Sequence, residues 1–142
     1  MDEGIARTRL NPEETDRIQP LRRELGVSTF GLNLLVLEPG QRGRIHRHER
    51  QEEVYVVLEG TPTLLVEGEP YELGPREAVR LAPDVRRQLV NPTAERVVVL
   101  AAGGANEHQG RDGLAFDAWE DTEGRPPQDV PMPEDLPPAP SS

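Results

Sequence analysis

Residues 38–60 read EPGQRGRIHRHERQEEVYVVLEG, and inside them the spacing Gly40-x5-His46-x-His48-x4-Glu53-x6-Gly60 brings two imidazoles and one carboxylate around a single point. Side chains alternate between the faces of a strand, so His46 and His48 share one face while Ile45 and Arg47 take the other. On the following strand Glu53 shares the inner face with Tyr55 and Val57, and the neighbouring acid, Glu52, reads as a surface residue. Imidazole nitrogen and carboxylate oxygen together suit borderline divalent metals (Fe, Mn, Ni, Zn or Co), and two histidines with one acid leave positions open for water or substrate. His46, His48 and Glu53 are therefore the candidate metal ligands. Tyr55 is a candidate catalytic residue, because a phenol beside a metal can orient bound water.

Outward from this stretch, residues 27–104 are a succession of short aliphatic or β-branched runs without sustained helical periodicity, which predicts an all-β fold. Strands are expected at 32–37, 43–48, 53–58, 62–66, 70–73, 78–81, 85–90 and 96–101. Turn residues punctuate them at Glu38-Pro39-Gly40, Glu59-Gly60, Glu67-Gly68, Gly74-Pro75, Ala82-Pro83-Asp84 and Asn91-Pro92. Eight short strands at this spacing suit a jelly-roll barrel, a double-stranded β-helix that encloses a pocket between two sheets. With no internal repeat, one barrel is expected over residues 26–104. The outer side of the 53–58 strand carries Val54, Val56 and Leu58, so a homodimer is expected to cover it.

The flanks read differently. In segment 1–25, Asn11-Pro12-Glu13-Glu14 predicts a helix start, with Asn11 as cap, acids near the positive end of the dipole and Pro20 as its limit. Ile18, Leu21 and Leu25 are expected to cover part of the barrel. Residues 105–124 read as an extension packed on the barrel through Leu114, Phe116 and Trp119. Residues 125–142, RPPQDVPMPEDLPPAPSS, contain seven prolines and read as a disordered, acidic tail.

Composition removes several classes of function. A formal charge of −10 argues against nucleic acid, which needs a basic face to neutralise phosphate. All 16 basic residues are arginine. Cysteine is absent, which excludes thiolate metal sites and thiol nucleophiles and agrees with a reducing, cytoplasmic setting. No apolar run reaches membrane-spanning length, and Met1 to Leu10 lacks the apolar stretch of a secretory signal. Ser28, Ser141 and Ser142 have no plausible neighbouring base, so a catalytic triad does not fit. The glycines stand at strand turns and not before helices, so no phosphate loop is present.

Residues 26–104 resemble a small single-domain cupin. EPGQRGRIHRHERQEEVYVVLEG resembles the family's first motif, and LGPREAVRLAPDVRRQLVNP, residues 73–92, resembles its second. In metal-binding members the two histidines and the glutamate of the first motif join a histidine from the second, which implies His46, His48 and Glu53 as ligands here. At the fourth position, four residues before Asn91, this chain has Arg87. The second motif's usual glycines are replaced by Arg76 and Asp84. A guanidinium has no lone pair to offer a metal. Three arrangements of Arg87 follow: an anion clamp beside a bound metal, with Arg87 as a second candidate catalytic residue; a partner of Glu53 in a metal-free pocket that binds a small ligand; or a side chain leaning out to the barrel mouth with Arg80 and Arg86. The remaining histidine, His108, reads as a loop residue. An enzyme of this kind would be a metal-dependent dioxygenase, isomerase, decarboxylase or epimerase acting on a small molecule, anionic in the clamp arrangement.

Overall fold

The computed structural model describes residues 4–104 and 112–137. Its strands are β1 (Ile18–Gln19), β2 (Gly31–Leu37), β3 (Ile45–His48), β4 (Glu52–Glu59), β5 (Thr63–Val66), β6 (Glu69–Glu72), β7 (Ala78–Leu81), β8 (Arg87–Val90), β9 (Val97–Gly104) and β10 (Gly113–Phe116). They form two antiparallel sheets, in the orders β1-β2-β9-β4-β7 and β10-β3-β8-β5-β6. The expected jelly roll is therefore what forms, with β1 and β10 added at the sheet edges. Between the sheets, the inner faces bury Leu37, Tyr55, Val57, Leu64, Leu81, Leu89, Val97 and Val99.

One sheet also buries its outer side. Leu34, Val36 and Val98 pack there against Leu21, the first residue of the short helix α1 (Leu21–Leu25). Leu21 thus covers the barrel as expected, whereas Ile18 stays 47% exposed. The helix expected to begin at Asn11 does not form. Pro12–Glu14 make a single 3-10 turn, and the Asn11 side chain bonds Glu14 Oε2 instead of a backbone N–H. Sheet pairing overrides the local helical signal, because Ile18 and Gln19 pair with Leu35 and Leu34 before the chain turns at Pro20. The helix then closes on Gly26, whose φ of 73° a glycine adopts freely.

Gly60, the last fixed position of the opening motif, has a φ of 82°, and a Cβ there would lie 2.6 Å from Arg96 O. No side chain fits without moving backbone. At the far end of the β4 outer face, Val54 and Leu58 are 37% and 43% exposed, so nothing within the described chain covers them.

The proline-rich segment departs from the expected disorder over residues 125–137. Arg125 makes a single bridge to Ala115 on the edge of β10, with hydrogen bonds in both directions. Farther on, Val130 is buried, Leu136 N donates to Gly40 O, Arg44 Nε donates to Val130 O (2.6 Å) and Arg42 Nε to Glu134 O (2.8 Å). A proline-rich chain keeps its carbonyls free to accept, and barrel arginines supply the donors that secondary structure does not. Upstream, Arg86 fastens the extension: its guanidinium lies over the rings of Phe116 and Trp119 at 5.5 and 5.7 Å and donates to Trp119 O and Asp121 O. Among the described residues no helix is long and apolar enough to cross a membrane.

Candidate metal centre and its cavities

The two histidines and the glutamate come from opposite sheets. His46 and His48 stand on β3, and Glu53 stands on β4 across the barrel. One ligand atom from each falls within 4.8 Å of the other two. His46 Nε2 lies 3.6 Å from Glu53 Oε1, and His48 Nε2 lies 3.8 Å from Oε2. The two rings meet edge to face at 5.4 Å.

The histidine orientation suits a ligand role. His46 Nδ1 is 3.2 Å from Arg44 O, and a carbonyl can only accept, so Nδ1 carries a proton and Nε2 is the ring nitrogen that faces Glu53. Burial alone would raise the Glu53 carboxyl, but hydrogen bonding from His46 and His48 and the charges of His46 and Arg87 hold it well below its ordinary value of 4.5. An ionised carboxylate faced by two imidazole Nε2 atoms is a donor set that fits a divalent cation, which would take the place of the protons between them.

Sequence reasoning missed the residue that holds the turn between β3 and β4. The Asp112 carboxylate accepts from the backbone N–H groups of Glu49, Arg50 and Gln51 at 2.9–3.1 Å, and its Oδ2 lies 3.6 Å from His48 Nδ1. Burial pushes this carboxyl up, yet the backbone donors and the nearby His48 outweigh it, so its value is lowered. The turn must carry the chain from one sheet to the other within three residues. Asp112 fixes that crossing and so the spacing of His48 and Glu53. Only the contact with a segment about 60 residues distant identifies it; nothing in its local sequence does.

Arg87 points inward and is fully buried. Its Nε and Nη2 donate to Glu53 Oε1 at 3.2 and 3.1 Å, and Nη1 donates to the carbonyls of Ala82, Pro83 and Val85 at 3.2, 3.1 and 2.5 Å. Its Cα partner across the sheet is His46. The pairing with Glu53 is the contact of the second arrangement, made through Oε1 alone, while Oε2 faces His48. The outward one is ruled out by burial, and the clamp would need a surface that the guanidinium does not present. Arg80, by contrast, is an exposed partner of Glu52 on the barrel exterior. His108 lies outside the described residues.

Two cavities open on the triad. One, of about 330 Å³, is walled by Leu35, Leu37, Leu89 and Met132 and reaches His46, His48, Glu53 and Tyr55. The other, of about 250 Å³, is walled mainly by polar groups and shares His48 and Glu53. Tyr55 is nearly fully buried; burial and the charge of Glu53 hold its phenol well above 10.0, so it stays protonated. Arg87 lines neither cavity.

Residues 33–103 match a family model described as the cupin domain. Similar solved structures include a cupin protein from Bacteroides fragilis (21% identity over 73% of this chain and 86% of that one, TM-score 0.65). A sugar phosphate isomerase of the cupin superfamily from Silicibacter pomeroyi shows 24% identity over 82% and 79%, with a TM-score of 0.63. The cupin domain of an XRE family transcriptional regulator from Enterobacter cloacae shows 25% identity over 61% and 93%, with a TM-score of 0.56. No curated protein matches the chain in sequence.

Proposed function

This chain belongs to the cupin family, and from that premise we propose that it binds a divalent metal through His46, His48 and Glu53 and acts on a small molecule held beside it. The observation that carries this reading is the convergence of three donors within 4.8 Å from two sheets, with His46 Nδ1 already committed to a carbonyl. A bound divalent ion would supply Lewis acidity to an oxygen of the held molecule. Of the chain's own residues, His46 and His48 present Nε2, Glu53 contributes its carboxylate, Asp112 fixes the turn that spaces them, and Tyr55 offers a phenolic proton at the cavity wall. Arg87 keeps Glu53 ionised and in place without meeting the ligand.

Metal content by mass spectrometry on untagged protein is expected to give about one transition metal per chain, lost in the His46→Ala, His48→Ala double variant. No metal in the wild type, even after reconstitution, would sink this reading.

The Arg87–Glu53 pair supports a second reading, a metal-free binding protein in which the guanidinium's charge stands where a metal would. Thermal stabilisation by a small ligand that survives chelation unchanged would favour it.

We extend the proposal to a homodimer that covers Val54, Val56 and Leu58, since exposed apolar patches of this kind mark interaction surfaces. Sedimentation equilibrium is expected to give twice the chain mass of 15.8 kDa, and Leu58→Glu should return it to the monomer. A monomeric wild type at micromolar concentration would refute this.

A further inference from the structure

Among the described residues, Arg22 Nε and His48 Nδ1 are buried side-chain atoms with no hydrogen-bond partner. Both residues line the 250 Å³ cavity, together with Asn33, Gln51 and Asp112. Folded proteins pair nearly all their buried polar atoms, so an unpaired donor marks the place of an acceptor that comes from outside the chain. Arg22 is the stronger of the two, because its charge is permanent. Two acids line that cavity and both are already engaged, Asp112 by the N–H groups of Glu49, Arg50 and Gln51 and Glu53 by the guanidinium of Arg87. The polar cavity and the apolar one share His48, Glu53, Asn33, Ala101 and Gly113 in their walls, so a molecule that reaches from one to the other passes the triad.

We propose that Arg22 is the anion-recognition residue of this pocket, taking the carboxylate of a small ligand whose apolar body runs past His46, His48 and Glu53 into the cavity walled by Leu35, Leu37 and Leu89. The proposal rests on the small-molecule reading of the pocket and is independent of its metal. Two other arginines border the apolar cavity, and both are committed. Arg44 Nε is held by Val130 O, and Arg17 by Arg42 O at 3.2 Å and by Asp135 at 3.7 Å.

The test is calorimetric titration of the full-length, chelator-treated protein with hexanoate and with hexanamide, its uncharged counterpart. Wild type binds hexanoate at least about tenfold more tightly, the scale of one charge-assisted hydrogen bond. Arg22→Met, which keeps bulk and removes charge, erases the preference, as does Arg22→Gln. Because Nε had no partner to lose, the melting temperature of ligand-free Arg22→Met does not fall below that of wild type. Arg44→Gln retains the preference.

Equal affinity for the two probes overturns the proposal, as does binding of neither, a preference that survives both Arg22 variants, or one that disappears in Arg44→Gln. Mass spectrometry that finds no metal even after reconstitution, beside an intact hexanoate preference, sinks the metal centre and leaves Arg22 standing. One metal per chain with no preference does the reverse.

Discussion

Replacing Arg87 with alanine is expected to lower the unfolding free energy by about 3–5 kcal/mol, read from urea denaturation. The guanidinium is fully buried and makes five hydrogen bonds, two to Glu53 and three to the carbonyls of the Ala82–Val85 turn. Truncation leaves a largely buried carboxylate without its guanidinium partner, together with three carbonyls without their donor, and removing one side of a buried pair costs far more than the pair's net worth. Arg80→Ala is the natural control. It breaks an arginine–glutamate contact of the same kind, but with side chains 63% and 55% exposed, where such pairs contribute about 0–1 kcal/mol. Similar losses in the two variants would mean that Arg87 does not lie where it is placed here.

Asn91→Ala is expected to be nearly as damaging. The side chain is fully buried; Nδ2 donates to Leu37 O and Glu95 O at 2.9 and 2.8 Å, and Oδ1 accepts from the Thr93 N–H and hydroxyl. Its own backbone exchanges hydrogen bonds with the Gly40–Gln41 turn. One residue thus ties the end of β2, the turn before β3 and the loop into β9. Each buried group left unpaired costs about 1–3 kcal/mol, and at least two are left. A thermal melt of Asn91→Ala within two degrees of wild type would refute the assignment.

The centre was legible because its three members lie within eight positions of one another and strand alternation converts that spacing into direction. His46, His48 and Glu53 could be placed on inner faces before any fold was known. Gly60 was legible for a related reason, since a turn glycine at the end of a strand advertises its backbone. Arg87 could be located but not oriented, because its environment depends on the carbonyls of a turn whose shape the sequence does not state. Asp112 was invisible, as its partners are 61 to 63 residues away. Arg22 was invisible too, for its position follows from how α1 docks on β2, and the residues before Pro20 pointed to the wrong helix. The tail misled through composition. Proline density predicts poor self-association of the chain and says nothing about a barrel surface rich in arginine donors.

That tail has a consequence for the protein's behaviour in concentrated solution. β10 is a lateral strand whose outward N–H and C=O groups would template pairing with another molecule, the usual route by which β-proteins polymerise. Arg125 occupies one rung of that ladder and is followed at once by Pro126 and Pro127, whose nitrogens carry no hydrogen to extend it. The same residues that begin the tail therefore terminate the sheet at this edge, and leave beyond Arg125 no run of N–H groups for a second molecule to extend.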